Sequence, residues 1–221
     1  MTKLTLEQIT KLNAEVESAI LKKNSEQLCL ELHRKVNSSY DTELIKRSIS
    51  YSFEKHEGQY RDDKKPYITH PIMVGLTLAH SRMPENVVIA GHLHDVIEHN
   101  KEEEVKISQY IIKKIGIEPF SYVKAMTIKD EENINKDEVQ SEKIMNYTNT
   151  RLTHLPFLKA SDSIHNLLTK NGMKPKKGLS YEERIEQYEQ SIITNVIPHL
   201  ERSHLPQSNE HIELIISLIN K

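Results

Sequence analysis

The sequence predicts an all-α protein, a bundle of amphipathic helices. Three observations carry this. Apolar residues recur three and four positions apart along most of the 221 residues. Six Gly and eight Pro are few for a turn-dense β fold. No segment alternates apolar and polar residues strongly enough to read as a strand, and there is no internal repeat or low-complexity tract.

Leu6, Ile9, Leu12, Val16 and Ile20 line one face of a first helix. Ser25 is placed to cap a second, with Leu28, Leu32 and Val36. Asp41 is placed to cap a third, with Leu44, Ile45, Ile49 and Phe53 facing inward. Residues 57–68 hold Gly58, two Asp, two Lys and Pro66, and read as a loop. Thr69 and Pro71 open the next helix, through Met73, Val74, Leu76 and Leu78. Pro84 and Glu85 open another that is expected to carry His94 and Asp95. Further helices are expected over 103–115, 138–151, 157–170, 181–197 and 209–220, with a stop at Gly116. Gly75 and Gly91 fall inside helices, where each costs about 1 kcal/mol relative to Ala, so they point to close helix-on-helix approach. The polar segment 129–138 reads as an exposed connection. Residues 1–40 read as an N-terminal helical extension and 41–221 as the site-bearing domain; the alternative is two more helices of one domain.

A net charge of −2 makes the molecule a poor match for bulk nucleic acid. The single cysteine, Cys29, excludes an internal disulfide and a cysteine-rich zinc site. No apolar run approaches the roughly 20 residues of a membrane span, and the N-terminus lacks an apolar signal core. The expectation is a soluble cytoplasmic protein with no membrane partner.

Polar residues in apolar surroundings mark the chemistry. His94 and Asp95 interrupt the run Val87 to Ile97, where ionisable groups cost free energy unless paired or metal-bound. On a continuous helix Glu98 would lie one turn after His94, and His99 one turn after Asp95. Asp162, Asn166 and Thr169 form a second polar stripe. His70, His94, Asp95 and Asp162 are thus candidates for a two-His, two-carboxylate set drawn from three helices. Such mixed N and O donors suit Mn2+, and also Fe2+, Co2+ or Zn2+. A metal there would acidify a water and polarise a phosphoryl oxygen, with Glu98 as base or proton relay. Lys64, Lys65, Lys170, Lys174, Lys176 and Lys177 are placed to form a basic rim or a solvated face. His92 points away from His94 and reads as packing or surface.

Four motifs, Gly58-Gln59-x-Arg61, Pro66-Tyr67-Ile68-x-His70-Pro71, Leu93-His94-Asp95-Val96-Ile97-Glu98 and Asp162-x-x-His165-Asn166, together resemble the HD-domain hydrolases of the RelA/SpoT type. The match covers roughly residues 45–200. More narrowly, the chain resembles a stand-alone small alarmone hydrolase. The resemblance implies an all-α HD-domain helical bundle and a Mn2+-dependent enzyme that removes the 3′-pyrophosphate from (p)ppGpp- or (p)ppApp-type nucleotides. By motif position His70, His94, Asp95 and Asp162 match metal ligands, and Glu98 matches the acid that handles the attacking water. Arg61 matches the arginine packing on the purine. Asn166 and Thr169 match positions near ribose and phosphates, and Tyr188 matches a substrate-contacting tyrosine.

Departures stand beside the match. His99 occupies the position of a usual Asp in the catalytic pair, where an imidazole would still relay a proton. Ser163 and Leu168 replace usual arginines, and Asp62-Asp63-Lys64-Lys65 carries two acids where the family is basic. They keep other readings open: a general HD nucleotidase or phosphodiesterase, a pyrophosphohydrolase acting on a tRNA end as an antitoxin, or a non-catalytic alarmone-binding module.

Overall fold

The computed structural model describes residues 4–40, 42–128, 136–148, 151–175 and 178–221. The expected cap Asp41, residues 129–135 of the polar connection, residues 149–150 and the basic-rim residues Lys176 and Lys177 lie outside them. The helices run α1 (Leu6–Ile20), α2 (Ser25–Val36), α3 (Thr42–Lys55), α4 (Thr69–His80), α5 (Glu85–Leu93), α6 (Glu104–Lys114), α7 (Ile117–Met126), α8 (Lys136–Thr148), α9 (Leu155–Leu168), α10 (Tyr181–Asn195), α11 (Ile197–Ser203) and α12 (Ser208–Ile219). Among the described residues no strand forms; Tyr60 and Pro66 make an isolated bridge. The architecture is the all-α bundle that the periodicity predicts. No described helix is long and apolar enough to cross a membrane.

The bundle is built around α4, which is buried from Thr69 to Ala79. A helix apolar on every side must be covered on every side. Here α5, α9, α1 and α2 all pack on it. The tightest crossing is α4 on α5, at the two glycines singled out by the sequence. A Cβ on Gly91 would lie 3.1 Å from the Gly75 Cα, and one on Gly75 would lie 2.1 Å from His92 Nε2. The His92 ring fills the space above Gly75. It is a packing residue, fully buried and bonded to Ser48 Oγ (2.8 Å) and His33 Nε2 (2.8 Å). Residues of α1 and α2, among them Ile9, Val16 and Cys29, belong to the same continuous apolar core as α4, α5 and α9.

The structure corrects several element boundaries. The helix opened by Pro84 stops at Leu93, and residues 94–99 are a series of turns, so the stripe drawn through Glu98 and His99 is not helical. The cause is local: His94 Nδ1 bonds the Gly91 carbonyl (2.9 Å), the acceptor that a continuing helix would give to the Asp95 N–H. Helix α7 lies in a segment the periodicity left unassigned. The expected helix 181–197 ends at Asn195, and α11 starts afresh because Pro198 has no N–H to continue the ladder. Ser25 is the first residue of α2 rather than its cap, which is Asn24.

Candidate metal centre and adjoining cavity

Two helices and the turn that leaves a third meet at the site. The first turn of α4 supplies His70, the turn leaving α5 supplies His94 and Asp95, and the middle of α9 supplies Asp162. His70 Nε2 lies 3.2 Å from His94 Nε2 and 3.1 Å from Asp162 Oδ1. Asp95 Oδ2 lies 3.2 Å from His94 Nε2 and 3.6 Å from His70 Nε2. His70, His94 and Asp162 each offer a ligand atom within 4.8 Å of the others, and all three are buried. The sequence-predicted quartet therefore converges.

The supporting bonds show what this convergence needs. His94 gives its Nδ1–H to Gly91, so Nε2 is the nitrogen turned into the cluster, and it is bare once an incoming cation displaces the ring's second proton. Asp162 is held by Lys159 Nζ on Oδ2 (2.8 Å) and Asn166 Nδ2 on Oδ1 (2.8 Å). Asp95 Oδ2 accepts from the Tyr67 hydroxyl at 2.6 Å. Two imidazole lone pairs and two carboxylate oxygens facing one another repel unless a cation lies among them. The donor set fits a divalent metal.

The electrostatics agree. Burial alone would push His94 down, but the carboxylates of Asp95 and Asp162 outweigh it and lift the ring to about 9. Burial would likewise raise both carboxyl groups; His94 and the other histidines hold Asp95 well below the usual range, and Lys159 and His70 do the same for Asp162. Burial, with the bonded His70 and the Arg61 charge, keeps His165 far below its ordinary value and therefore neutral. The cluster is thus built to keep one positive charge among its acids.

Beside it opens a polar cavity of about 290 Å³, lined by Arg61, Tyr67, His99, Asn166, Thr169 and Arg184 among others. Arg61 is tied to α9 through Asn166 Oδ1 (2.9 Å) and Thr169 Oγ1 (3.1 Å). His99 lines the cavity, its ring 4.2 Å from that of Tyr67. Glu98 is half-buried, with Oε2 accepting from the Ile128 N–H at 3.4 Å. Lys64 stands exposed at the tip of the 61–65 turn in the left-handed conformation (φ 66°). The Tyr188 hydroxyl is buried rather than open to the cavity, near Asp162 and Lys159. The two departing acids are neutralised: Asp62 pairs with Arg184 at 3.0 Å, and Asp63 lies 3.7 Å from Lys65.

Residues 48–171 match the HD domain family. The chain belongs to that family. This HD-domain protein is 29% identical over 187 residues to the guanosine-3′,5′-bis(diphosphate) 3′-pyrophosphohydrolase of Borreliella burgdorferi, covering 80% of the chain and 26% of the relative. It is 26% identical over 139 residues to the GTP pyrophosphokinase of Myxococcus xanthus, covering 62% and 18%. It thus spans about a quarter or less of the length of these relatives. A solved structure, described as a metazoan ortholog of SpoT that hydrolyzes ppGpp and plays a role in starvation responses, shares the fold with a TM-score of 0.61 at 22% identity. That likeness covers 81% of this chain and 97% of the other.

Some supporting residues of the HD-domain site carried no assigned role in the sequence reading. Tyr67 sits within the second motif, so its position was a signal; Lys159 stands one turn before Asp162, outside the motifs. His165, which stands in the fourth motif, does not face the cluster but backs His70, Nδ1 to Nδ1 at 2.8 Å.

Proposed function

We propose that the protein is a Mn2+-dependent pyrophosphohydrolase that removes the 3′-pyrophosphate from (p)ppGpp- or (p)ppApp-type nucleotides in the cytoplasm. The observation that carries this reading is the convergence of His70, His94, Asp95 and Asp162 at the edge of a cavity lined by Arg61, Asn166 and Thr169. The relatives named as 3′-pyrophosphohydrolases support the substrate class.

A divalent ion held by the four residues would supply Lewis acidity at the scissile phosphate and lower the pKa of water. The chain's own residues do the rest. Arg61 presents a planar cation to the cavity, fixed by Asn166 and Thr169, and stacks on a purine without choosing between guanine and adenine. Glu98 takes the proton of the attacking water in this reading, and His99, at the cavity wall, passes it on. Lys64 meets the outer phosphates, and Tyr188, its hydroxyl buried near Asp162 and Lys159, stands behind the site rather than on the substrate.

A second reading, a module that binds an alarmone without turning it over, is favoured by one observation: the family's departure at His99 faces the cavity itself. One assay separates the two. Purified protein with Mn2+ is given ppGpp and ppApp in parallel, and pyrophosphate is resolved from phosphate. Pyrophosphate release that vanishes in Asp95→Ala and Asp162→Ala is expected. Full activity in either variant sinks the site; inorganic phosphate as the product points to a nucleotidase; tight nucleotide binding without release supports the binding module.

A further inference from the structure

A metal-ligating histidine works only if the lone pair, not the N–H, faces the ion. For His94 the Gly91 carbonyl ensures this. For His70 no carbonyl or carboxylate does so: its Nδ1 meets another imidazole nitrogen, His165 Nδ1 at 2.8 Å. That contact is symmetric. Either ring could donate, and one of the two choices would point a proton from His70 Nε2 into the ligand cluster.

The symmetry is broken from α1. His165 Nε2 lies 3.1 Å from Asn13 Oδ1, across a separation of 152 residues. The Asn13 amide cannot be turned over, because its Nδ2 donates to Glu17 Oε1 at 2.8 Å and a carboxylate only accepts. Glu17 in turn is held by Lys65 Nζ at 2.6 Å. Polarity then runs one way. Lys65 and Asn13 donate to Glu17. His165 donates Nε2–H to Asn13 Oδ1; buried, and bonded only to an amide oxygen and another imidazole, the ring has no carboxylate to hold a second proton and keeps a bare Nδ1. His70 must donate Nδ1–H to it, which leaves His70 Nε2 bare.

We propose that Asn13, acting through His165, fixes the His70 tautomer that turns a lone pair toward the metal site. Asn13 is a positioning residue, and α1 is thereby part of the functional machinery. The proposal rests on the reading of His70 as a metal ligand and deepens it. Loss of such supporting bonds typically weakens metal affinity about 10–100-fold.

The test uses the full chain and two readouts. First, long-range 1H–15N correlation spectra of the metal-free protein report which nitrogen of each ring is protonated. In the wild type His70 is expected with a bare Nε2 and His165 with Nε2–H; the opposite pair of tautomers overturns the proposal without any variant. Second, Mn2+ affinity is measured by calorimetry for wild type, Asn13→Leu and Asn13→Gln. Asn13→Leu removes the acceptor and is expected to weaken binding at least about tenfold, with His70 Nε2–H appearing in the metal-free spectrum. Asn13→Gln keeps an amide that accepts from His165 and donates to Glu17, and is expected to retain both the wild-type tautomer and affinity within about threefold, a smaller loss than that typical of a broken supporting bond. Equal Mn2+ affinity in Asn13→Leu and wild type overturns the relay while leaving the metal reading intact. A wild type that binds no divalent ion, yet shows the expected tautomers, removes the metal reading instead.

Discussion

Tyr67 does for Asp95 what Lys159 and Asn166 do for Asp162: it aims one carboxylate oxygen at the cluster. Its hydroxyl bond to Oδ2 is 2.6 Å, and its ring also stands 4.2 Å from His99 and 4.9 Å from His56. Tyr67→Phe keeps the ring and deletes only the donor. Mn2+ affinity, read by calorimetry, is expected to fall about tenfold, because outer bonds of this kind orient the ligand. Unchanged affinity would show that Asp95 is held without it. At this scale the converging residues were legible because His94 and Asp95 interrupt an apolar run, Asp162 belongs to a polar stripe, and His70 stands in one of the four motifs. Asn13 was not. On its own helix it is an ordinary half-buried amide, and its role exists only because folding carries it to a residue 152 positions away.

At the scale of elements, the α4–α5 crossing brings His70 and His94 together, and the crossing depends on Gly75 and Gly91. Gly75→Ala gains about 1 kcal/mol of helix propensity but drives a methyl to 2.1 Å from His92 Nε2. The ring would have to leave its bonds to Ser48 and His33. A net loss of about 2 kcal/mol is expected, seen as a fall in Tm of about 4–8 °C by calorimetry. In a His92→Ala background the same substitution should cost less, since the ring it strikes is gone; an equal cost there would place the strain elsewhere. Helical period located the long elements within a few residues and pointed to this crossing. It missed the end of α5, because the signal is a side chain capturing its own helix's carbonyl rather than a Gly or Pro. It ran α10 past Asn195 to the residue before Pro198 and gave α11 no element, and it missed α7, where Ile117 is exposed and weakens the pattern.

Across the whole molecule two sets of histidines pull stability in opposite directions with pH. Burial lowers His33 to about 3, and His56 and His211 to about 4, so all three are neutral in the folded chain near neutrality. Unfolded, they titrate near 6.5, so below that pH the unfolded chain binds more protons than the folded one. Their contribution is whole above about 6.5 and is lost as pH falls toward 4, by up to about 1.4 kcal/mol per pH unit for each. His94 has the opposite sign. Its folded value, lifted to about 9 against the effect of burial by Asp95 and Asp162, means its contribution is whole below about 6.5 and is lost as pH rises toward 9. The metal-free protein is therefore expected to be most stable near pH 6.5, with the steeper fall on the acid side, where several buried histidines act against one. A divalent cation supplies the positive charge that the His94 proton otherwise provides, so Mn2+ should raise Tm most at pH 8 to 8.5 and flatten the alkaline limb while leaving the acid limb steep. Calorimetric Tm between pH 4.5 and 8.5, with and without Mn2+, checks this. An alkaline limb that Mn2+ leaves unchanged would mean that the charge held among Asp95, Asp162, His70 and His94 is not the one a metal replaces.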